Sequence, residues 1–179
     1  DATGAVAPEF GARAASLNLG VGFTRDAIAY GLALQTDGKL VLAGSALFSS
    51  LAGMARFKPN GSLDSDDPPV VGNFGPAGLG SMVFDPGRTT TGVASDLDVR
   101  DDKTYVVATN ISVATPPPLL GGVTKIRLWH IDADGSIPRT SDYTDTPLGP
   151  ENDIAHQLIR LADGKFLLAA QASSSTTVS

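Results

Sequence analysis

One short segment occurs three times in the chain, and this repetition limits the possible folds more than any other feature. Each copy is an apolar run, a polar turn that contains Asp, and a second apolar run that ends in Ala. The copies are residues 31–43, 96–108 and 157–169. Their turn aspartates, Asp37, Asp102 and Asp163, lie 65 and 61 residues apart. An Asp-Gly turn between two apolar runs is a strong hairpin signal, because Gly supplies the positive φ that the turn needs.

A second hairpin pattern follows the first in two copies. Residues 54–64 and 128–138 alternate apolar and polar side chains and then reach an Asn-Gly or Asp-Gly turn. Two hairpins per period of about 60 residues predict a four-stranded antiparallel sheet, which must stack on copies of itself to cover its apolar face. A solenoid is disfavoured because its repeats usually run roughly 20 to 45 residues. The predicted fold is therefore all-β, built from β-propeller blades that form a partial propeller.

Local patterns make two further structural predictions. Residues 151–163 lack Gly and Pro and place Ile154, Leu158 and Leu161 at helical spacing, but their alignment with two strand-forming copies favours a strand. The turn glycines are expected to take positive φ. They are Gly38, Gly61, Gly135 and Gly164.

Composition excludes several classes of protein. The 179 residues are 42% hydrophobic and 18% charged, which is too apolar for an intrinsically disordered chain. The net charge of −6 comes without a basic stripe, so we expect no binding to nucleic acid or to anionic membrane surfaces. No window approaches the roughly 18 apolar residues of a spanning helix, so we expect no membrane insertion. The absence of cysteine excludes disulfides, thiol catalysis and zinc–thiolate sites.

The motif in residues 32–39, 42–44 and 54–64 resembles the delta-sixty repeat, a bacterial β-propeller repeat of secreted and cell-surface proteins. The second copy departs from the pattern, since Lys103 follows Asp102 without an intervening Gly. The resemblance implies a propeller fold and a secreted or cell-surface location. It implies no particular chemistry, because a scaffold does not fix a function.

The repeats divide the chain into parts of one propeller segment. We expect a trailing strand of a preceding repeat in residues 1–25, repeat 1 in 26–89, repeat 2 in 90–150, and the first half of repeat 3 in 151–179. Propellers close with about four to eight blades. Another copy of the chain, or the remainder of a longer parent chain, is therefore expected to complete the ring.

Acidic residues in two turns are candidates for binding a cation. Asp132 and Asp134 precede Gly135 as in the start of a calcium loop, although no third ligand and no closing Glu follow at the expected spacing. Ordinary hairpin-turn chemistry is the alternative and is favoured. A second group comprises Asp96, Asp98, Asp101 and Asp102. For this group a solvated blade edge is favoured over a metal site.

Trp129 and the loop at Pro116, Pro117 and Pro118 are candidates for contact with a ligand or partner. Trp129 is expected to pack between blades, with a sugar-stacking platform as the alternative, and the three prolines form a stiff spacer where another chain could dock. His130 and His156 have no sequence-local partner for a metal or a catalytic triad.

These observations favour a non-catalytic scaffold and interaction module, with no cofactor required. Two alternatives stay open. One is a calcium-stabilised propeller that binds carbohydrate or another glycan ligand. The other is part of an enzyme whose site lies in the propeller channel and is assembled from several blades.

Overall fold

The structure, a computed structural model, describes residues 28–46, 51–65, 73–84, 90–101, 103–114, 122–137, 143–146 and 152–173. Within these ranges the chain forms ten β-strands, one turn of 3-10 helix at Pro76–Gly78, and no α-helix. The strands are β1 (Ile28–Leu34), β2 (Leu40–Ala46), β3 (Leu51–Phe57), β4 (Ser81–Phe84), β5 (Thr90–Val99), β6 (Tyr105–Ala114), β7 (Gly122–Ile131), β8 (Tyr143–Thr146), β9 (Asn152–Arg160) and β10 (Phe166–Ser173). The predicted all-β class is confirmed. The expected trailing strand in 1–25 lies outside the described residues.

The strands form two blades and a hairpin of a propeller. Blade 1 is the antiparallel sheet β1-β2-β3-β4, paired in chain order. Blade 2 repeats this arrangement with β5, β6, β7 and β8. The antiparallel pair β9–β10 follows as the third hairpin. It joins the sheet of blade 2 through one parallel pair, Thr124 with Asn152.

The turn glycines have the predicted backbone conformation. The φ angles of Gly38, Gly61, Gly135 and Gly164 lie between 78° and 85°. In the second copy, Lys103 takes a φ of 66° instead, which is costly for a residue with a Cβ. The departure of this copy from Asp-Gly-Lys therefore changes the residue in the turn and leaves the hairpin intact.

The second turn of each blade differs from the simple hairpin that the sequence suggests. The turn at Gly61 closes on an isolated bridge between Phe57 and Leu63, and β4 begins only at Ser81. A long connection thus separates β3, which ends at Phe57, from the outer strand β4, with which it pairs. The four-stranded sheet is as predicted, but this turn does not connect its last two strands directly.

The segment with helical spacing is strand β9, as the repeat alignment favours. Ala155 and Leu158 are its buried apolar residues, three positions apart, because a register shift in the β9–β10 pair lies between them. Such a bulge inserts one residue and changes the alternation of faces. Shifts at the equivalent positions occur in β1 and β5, so the bulge is a feature of the repeat.

The hydrophobic core lies between neighbouring blades. Strand β5 packs across β1, β2 and β3, and β9 packs across β5, β6 and β7. The cluster between the two blades contains Val41, Ala43, Ala52, Met54, Phe74, Met82, Ala94, Leu97, Tyr105, Val107, Trp129 and Ile131. A smaller cluster beneath the third hairpin contains Ala108, Ile126 and Ala155. Within the described part of the chain, no helix has the length and apolar character needed to cross a membrane.

Two glycine substitutions distinguish the stability cost of an unfavourable φ angle from that of a steric clash. A Cβ at Gly164 would have no atom within 4 Å, so Gly164→Ala carries only the cost of its φ of 82°, about 1 kcal/mol. A Cβ at Gly44 would lie 1.9 Å from the carbonyl oxygen of Ile28. Gly44→Ala must displace β1 and should lower the free energy of unfolding by about 3 kcal/mol. Urea unfolding measures both, and equal losses would contradict the pairing of β1 with β2.

Candidate functional site

Four buried polar side chains and the partly exposed Lys39 gather where blade 1 meets blade 2. We call this group the polar joint; it consists of Gln35, Lys39, Arg56, Asp64 and Tyr105. The first four belong to blade 1 and to the repeat motif, whereas Tyr105 begins β6 of blade 2. Sequence reasoning did not identify these residues as a site, although the motif itself was the available signal.

Local backbone turns place the residues of the polar joint. The Gln35 N–H donates to the Lys39 carbonyl at 2.8 Å across the β1–β2 turn, which holds the two residues side by side. The Asp64 N–H donates to the Arg56 carbonyl at 2.7 Å. The turn around Gly61 therefore brings Asp64 back beside Arg56, and this explains the eight-residue spacing of Arg and Asp in the motif.

Arg56 bonds to both blades. Its Nε donates to Asp64 Oδ2 at 2.6 Å, and Lys39 Nζ donates to the same oxygen at 2.9 Å. Its Nη1 reaches blade 2, where it donates to the Tyr105 hydroxyl at 3.1 Å and to the Ala133 carbonyl at 2.7 Å. Gln35 Nε2 also donates to the Tyr105 hydroxyl, at 2.9 Å. The guanidinium is thus a direct link between the blades.

Aromatic rings enclose this link. The Arg56 guanidinium carbon lies 4.7 Å from the centroid of the Phe74 ring, a cation–π contact. Phe74 in turn meets Tyr105 edge to face, with ring centroids 5.7 Å apart. The following residue, Gly75, donates its N–H to the Asp134 carbonyl at 2.7 Å. Phe74 and Gly75 therefore also join blade 1 to blade 2.

The environment fixes the protonation states of the polar joint. Burial raises the pKa of the Asp64 carboxyl, but the hydrogen bonds and charges of Lys39 and Arg56 outweigh burial and hold that pKa below its usual range. Burial also raises the pKa of Tyr105, and the bonds from Arg56 and Gln35 offset this only in part. Asp64 is therefore ionised and Tyr105 protonated throughout the neutral pH range.

A different set of bonds joins blade 2 to the third hairpin. Asp96 Oδ2 accepts the Leu158 N–H at 2.8 Å, and Asp98 Oδ2 accepts the Arg160 N–H at 3.0 Å. The expectation of a solvated blade edge is wrong for these two carboxylates, because they satisfy main-chain donors of β9. Their placement two residues apart on one strand, which directs both to one face, was the signal in the sequence.

Asn110 adds to these bonds between blade 2 and the third hairpin. Its side-chain oxygen accepts the Ala155 N–H at 2.7 Å, and its side-chain nitrogen donates to the Ala155 carbonyl at 3.1 Å. Asp101 adds an ion pair with Arg160 at 2.9 Å, although its carboxylate is largely exposed. The third hairpin is therefore bonded to β5 and β6 of the preceding blade at several points along β9.

The proposed calcium residues bond within their own turn. Asp134 Oδ1 accepts the Ser136 N–H at 2.8 Å, and Asp132 Oδ2 accepts the Ser136 hydroxyl at 3.3 Å. The Ser136 hydroxyl and N–H together lower the pKa of Asp134. Asn60 makes the same bond to the Ser62 N–H at 3.0 Å, so the contact belongs to the turn and needs no carboxylate. Within the described ranges, no three His, Asp or Glu side chains gather as possible metal ligands. Calcium binding stays a prediction.

Trp129 is buried in the core between the blades. Its Nε1 donates to Thr109 Oγ1 at 2.9 Å, and the Arg127 guanidinium carbon lies 5.5 Å from its ring centroid. The ring packs as a core residue, and its contact with a ligand stays a prediction. Pro116, Pro117 and Pro118 lie outside the described residues, so the docking role expected for this loop stays a prediction too.

The polar joint should contribute far more to stability than an exposed ion pair. Asp64→Asn leaves Arg56 buried without its counter-charge and should lower the free energy of unfolding by about 3 kcal/mol at pH 7. The matched change Asp37→Asn disrupts the more exposed pair with Lys103 and should cost less than about 1 kcal/mol.

Acid should reduce the difference in stability between the wild type and Asp64→Asn. Because folding lowers the pKa of Asp64, its stabilisation is complete above the unfolded pKa near about 4 and disappears as the pH falls through the folded pKa. Urea unfolding between pH 7 and pH 3 should show the wild type converging on Asp64→Asn. A constant gap across this range would contradict the ionised buried pair.

Hydrogen exchange tests the bonds from Asp96 and Asp98 to strand β9. The double variant Asp96→Ala/Asp98→Ala removes the acceptors for the Leu158 and Arg160 amides. Loss of a charged hydrogen bond worth about 1.5 kcal/mol should speed exchange at these amides by about tenfold. Asp101→Ala, which removes the exposed partner of Arg160, is the matched control and should leave both rates unchanged. Unchanged rates in the double variant would rule out the carboxylate bonds.

Part of the chain matches a known protein family. Residues 35–66 match a family described as a domain of unknown function (DUF5122) beta-propeller. No curated protein matches the chain. The matched range contains four residues of the polar joint, Gln35, Lys39, Arg56 and Asp64. Fold and comparison agree that this chain is a repeat-containing segment of a β-propeller.

Proposed function

We propose that this chain is part of a non-catalytic β-propeller scaffold that presents interaction surfaces in a secreted or cell-surface bacterial protein. One observation carries the proposal. Two polar residues of the repeat motif, Gln35 and Arg56, donate hydrogen bonds across the boundary between the blades, and Asp64 of the same motif holds Arg56 in place. The motif is thus accounted for by assembly of the propeller and does not require a substrate.

The burial of these groups supports a structural role. A ligand site is usually a cleft in which a few polar groups face the bound molecule. In the polar joint, Arg56 and Asp64 are buried and face each other. The Tyr105 hydroxyl accepts hydrogen bonds from Arg56 and Gln35. The ionisable side chains of the polar joint, which would be the best candidates for catalysis or ligand binding, are therefore held in contacts within the protein.

The protonation states also support a scaffold. General acid–base catalysis works best with a group whose pKa lies near the operating pH. In the polar joint the pKa of Asp64 is lowered and that of Tyr105 is raised, so both move away from neutrality. These shifts stabilise one fixed charge state, which suits a rigid joint between blades.

The resemblance to the delta-sixty repeat supports the proposed location. It rests on residues 32–39 and 54–64, which lie largely within the range matched by the propeller family. We also propose the repeat boundaries 26–89 and 90–150, which enclose the strands of blade 1 and blade 2 respectively. A scaffold of this kind acts through the surfaces of its blades.

Calorimetric titration tests the proposal against its rivals. The wild-type chain should give no saturable heat with calcium chloride or with soluble glycans, and no turnover of chromogenic ester, glycoside and peptide substrates. The variant Asp132→Asn/Asp134→Asn is the matched control for calcium. Saturable calcium heat that this variant abolishes would favour the calcium-stabilised propeller. Turnover of any of these substrates that is lost when the chain is heat-unfolded would favour an enzyme.

A further inference from the structure

Equivalent residues of the three inner strands differ sharply in exposure. Leu32, Leu97 and Leu158 occupy the same repeat position in β1, β5 and β9. Leu97 is 4% exposed and Leu158 is 5% exposed, because each faces the blade before it, whereas Leu32 is 63% exposed. A Cβ on Gly31 would point the other way, to within 3.0 Å of a Leu97 methyl carbon. Leu32 therefore lies on the face of blade 1 that is turned away from blade 2.

Equivalent residues of β2, β6 and β10, the second strand of each unit, also differ in exposure, and here the exposed residue lies in the third hairpin. Val41 and Val106, at equivalent positions of β2 and β6, are fully buried, and Val41 lies in the core between blade 1 and blade 2. Leu167, at the same position of β10, is 56% exposed. Its partner across the hairpin, Ile159, is also exposed. The third hairpin thus presents an apolar surface of the kind that blades 1 and 2 cover with the next blade.

The head face consists of exposed large apolar side chains of β1, which are Tyr30, Leu32 and Leu34. The tail face consists of Ile154, Ile159 and Leu167 together with the exposed Gln157. Both boundaries within the described ranges, blade 1 with blade 2 and blade 2 with the third hairpin, join a surface of the head type to one of the tail type. The exposed head face and tail face are therefore complementary to each other.

We propose that a second copy of this chain docks head to tail, with its head face on the tail face of the first. The proposal deepens the scaffold function and rests on it, because it names the partner that the scaffold takes up. The established boundaries supply the argument, since the arrangement that places β5 on blade 1 and β9 on blade 2 would place β1 of a second copy on the third hairpin. Such a contact is heterologous, so repetition makes rings or open chains.

Gln157 supplies a polar element of this contact. It occupies the repeat position of Asp96, whose carboxylate accepts the Leu158 N–H of the next inner strand at 2.8 Å. The equivalent donor in a second copy is the Leu32 N–H. The Gln157 side-chain oxygen is placed to accept this donor, as Asp96 does one blade earlier. The docked copy would thus be held by apolar contact and by a main-chain hydrogen bond.

Two variants, each with one face blocked, test whether the copies dock head to tail. Leu32→Asp blocks the head face and Leu167→Asp blocks the tail face. Both residues are exposed, so neither change should prevent folding, and circular dichroism checks this. Thr36→Asp and Ala162→Asp add the same charge in exposed turns of the same two hairpins and serve as matched controls. Sedimentation velocity of the full chain, at a series of concentrations, gives the size of each species.

The wild type and both controls should form concentration-dependent oligomers, whereas each face variant alone should be monomeric. An equimolar mixture of the two face variants should form dimers and nothing larger, because only one compatible pair of faces remains. A monomeric wild type would overturn the proposal, as would a mixture of face variants that stays monomeric. If either face variant fails to fold, Leu34→Asp or Ile159→Asp replaces it. Loss of self-association would leave the calcium, glycan and turnover results unchanged, so the two proposals fail separately.

Discussion

A twisted sheet with two apolar faces must be covered on both sides, and this constraint governs the structure. Blade 1 covers one face of blade 2, and the third hairpin covers much of the other. The inner strand of each unit crosses the strands of the unit before it, so the hydrophobic core forms between sheets. Among the described residues, both hydrophobic clusters contain residues from two neighbouring units. Residues that join blades therefore contribute to the fold as directly as residues within a blade do.

Features that depend on local backbone geometry could be predicted from the sequence. The Asp-Gly turns required positive φ at Gly38 and Gly164, and the structure has it. The repeat alignment also identified β9 as a strand although Ile154, Leu158 and Leu161 have helical spacing. This spacing was misleading because a bulge in the inner strand shifts the alternation of faces. Only comparison with the other copies revealed that the bulge recurs.

Contacts between blades could not be predicted in the same way. Arg56 and Tyr105 are 49 positions apart, and Asp96 and Leu158 are 62 apart. A repeat pattern shows which residues recur but not how one repeat is rotated onto the next. The carboxylate of Asp96 therefore seemed to belong to a solvated edge. Its main-chain partner lies on a strand whose path across blade 2 is set by packing.

The two joints show how diverged repeats can keep one geometry. At one repeat position blade 1 has Gly31 and blade 2 has Asp96. The absence of a side chain at Gly31 allows β5 to approach so closely that an added Cβ would lie 3.0 Å from the Asp96 Cα. In blade 2 the carboxylate of Asp96 instead bonds to the amide of Leu158 at 2.8 Å. Direct backbone approach and a bridging side chain both place the next inner strand. Blade stacking therefore requires the next inner strand at a fixed position and does not require one particular residue here, so the second repeat departs from the motif and still forms a blade.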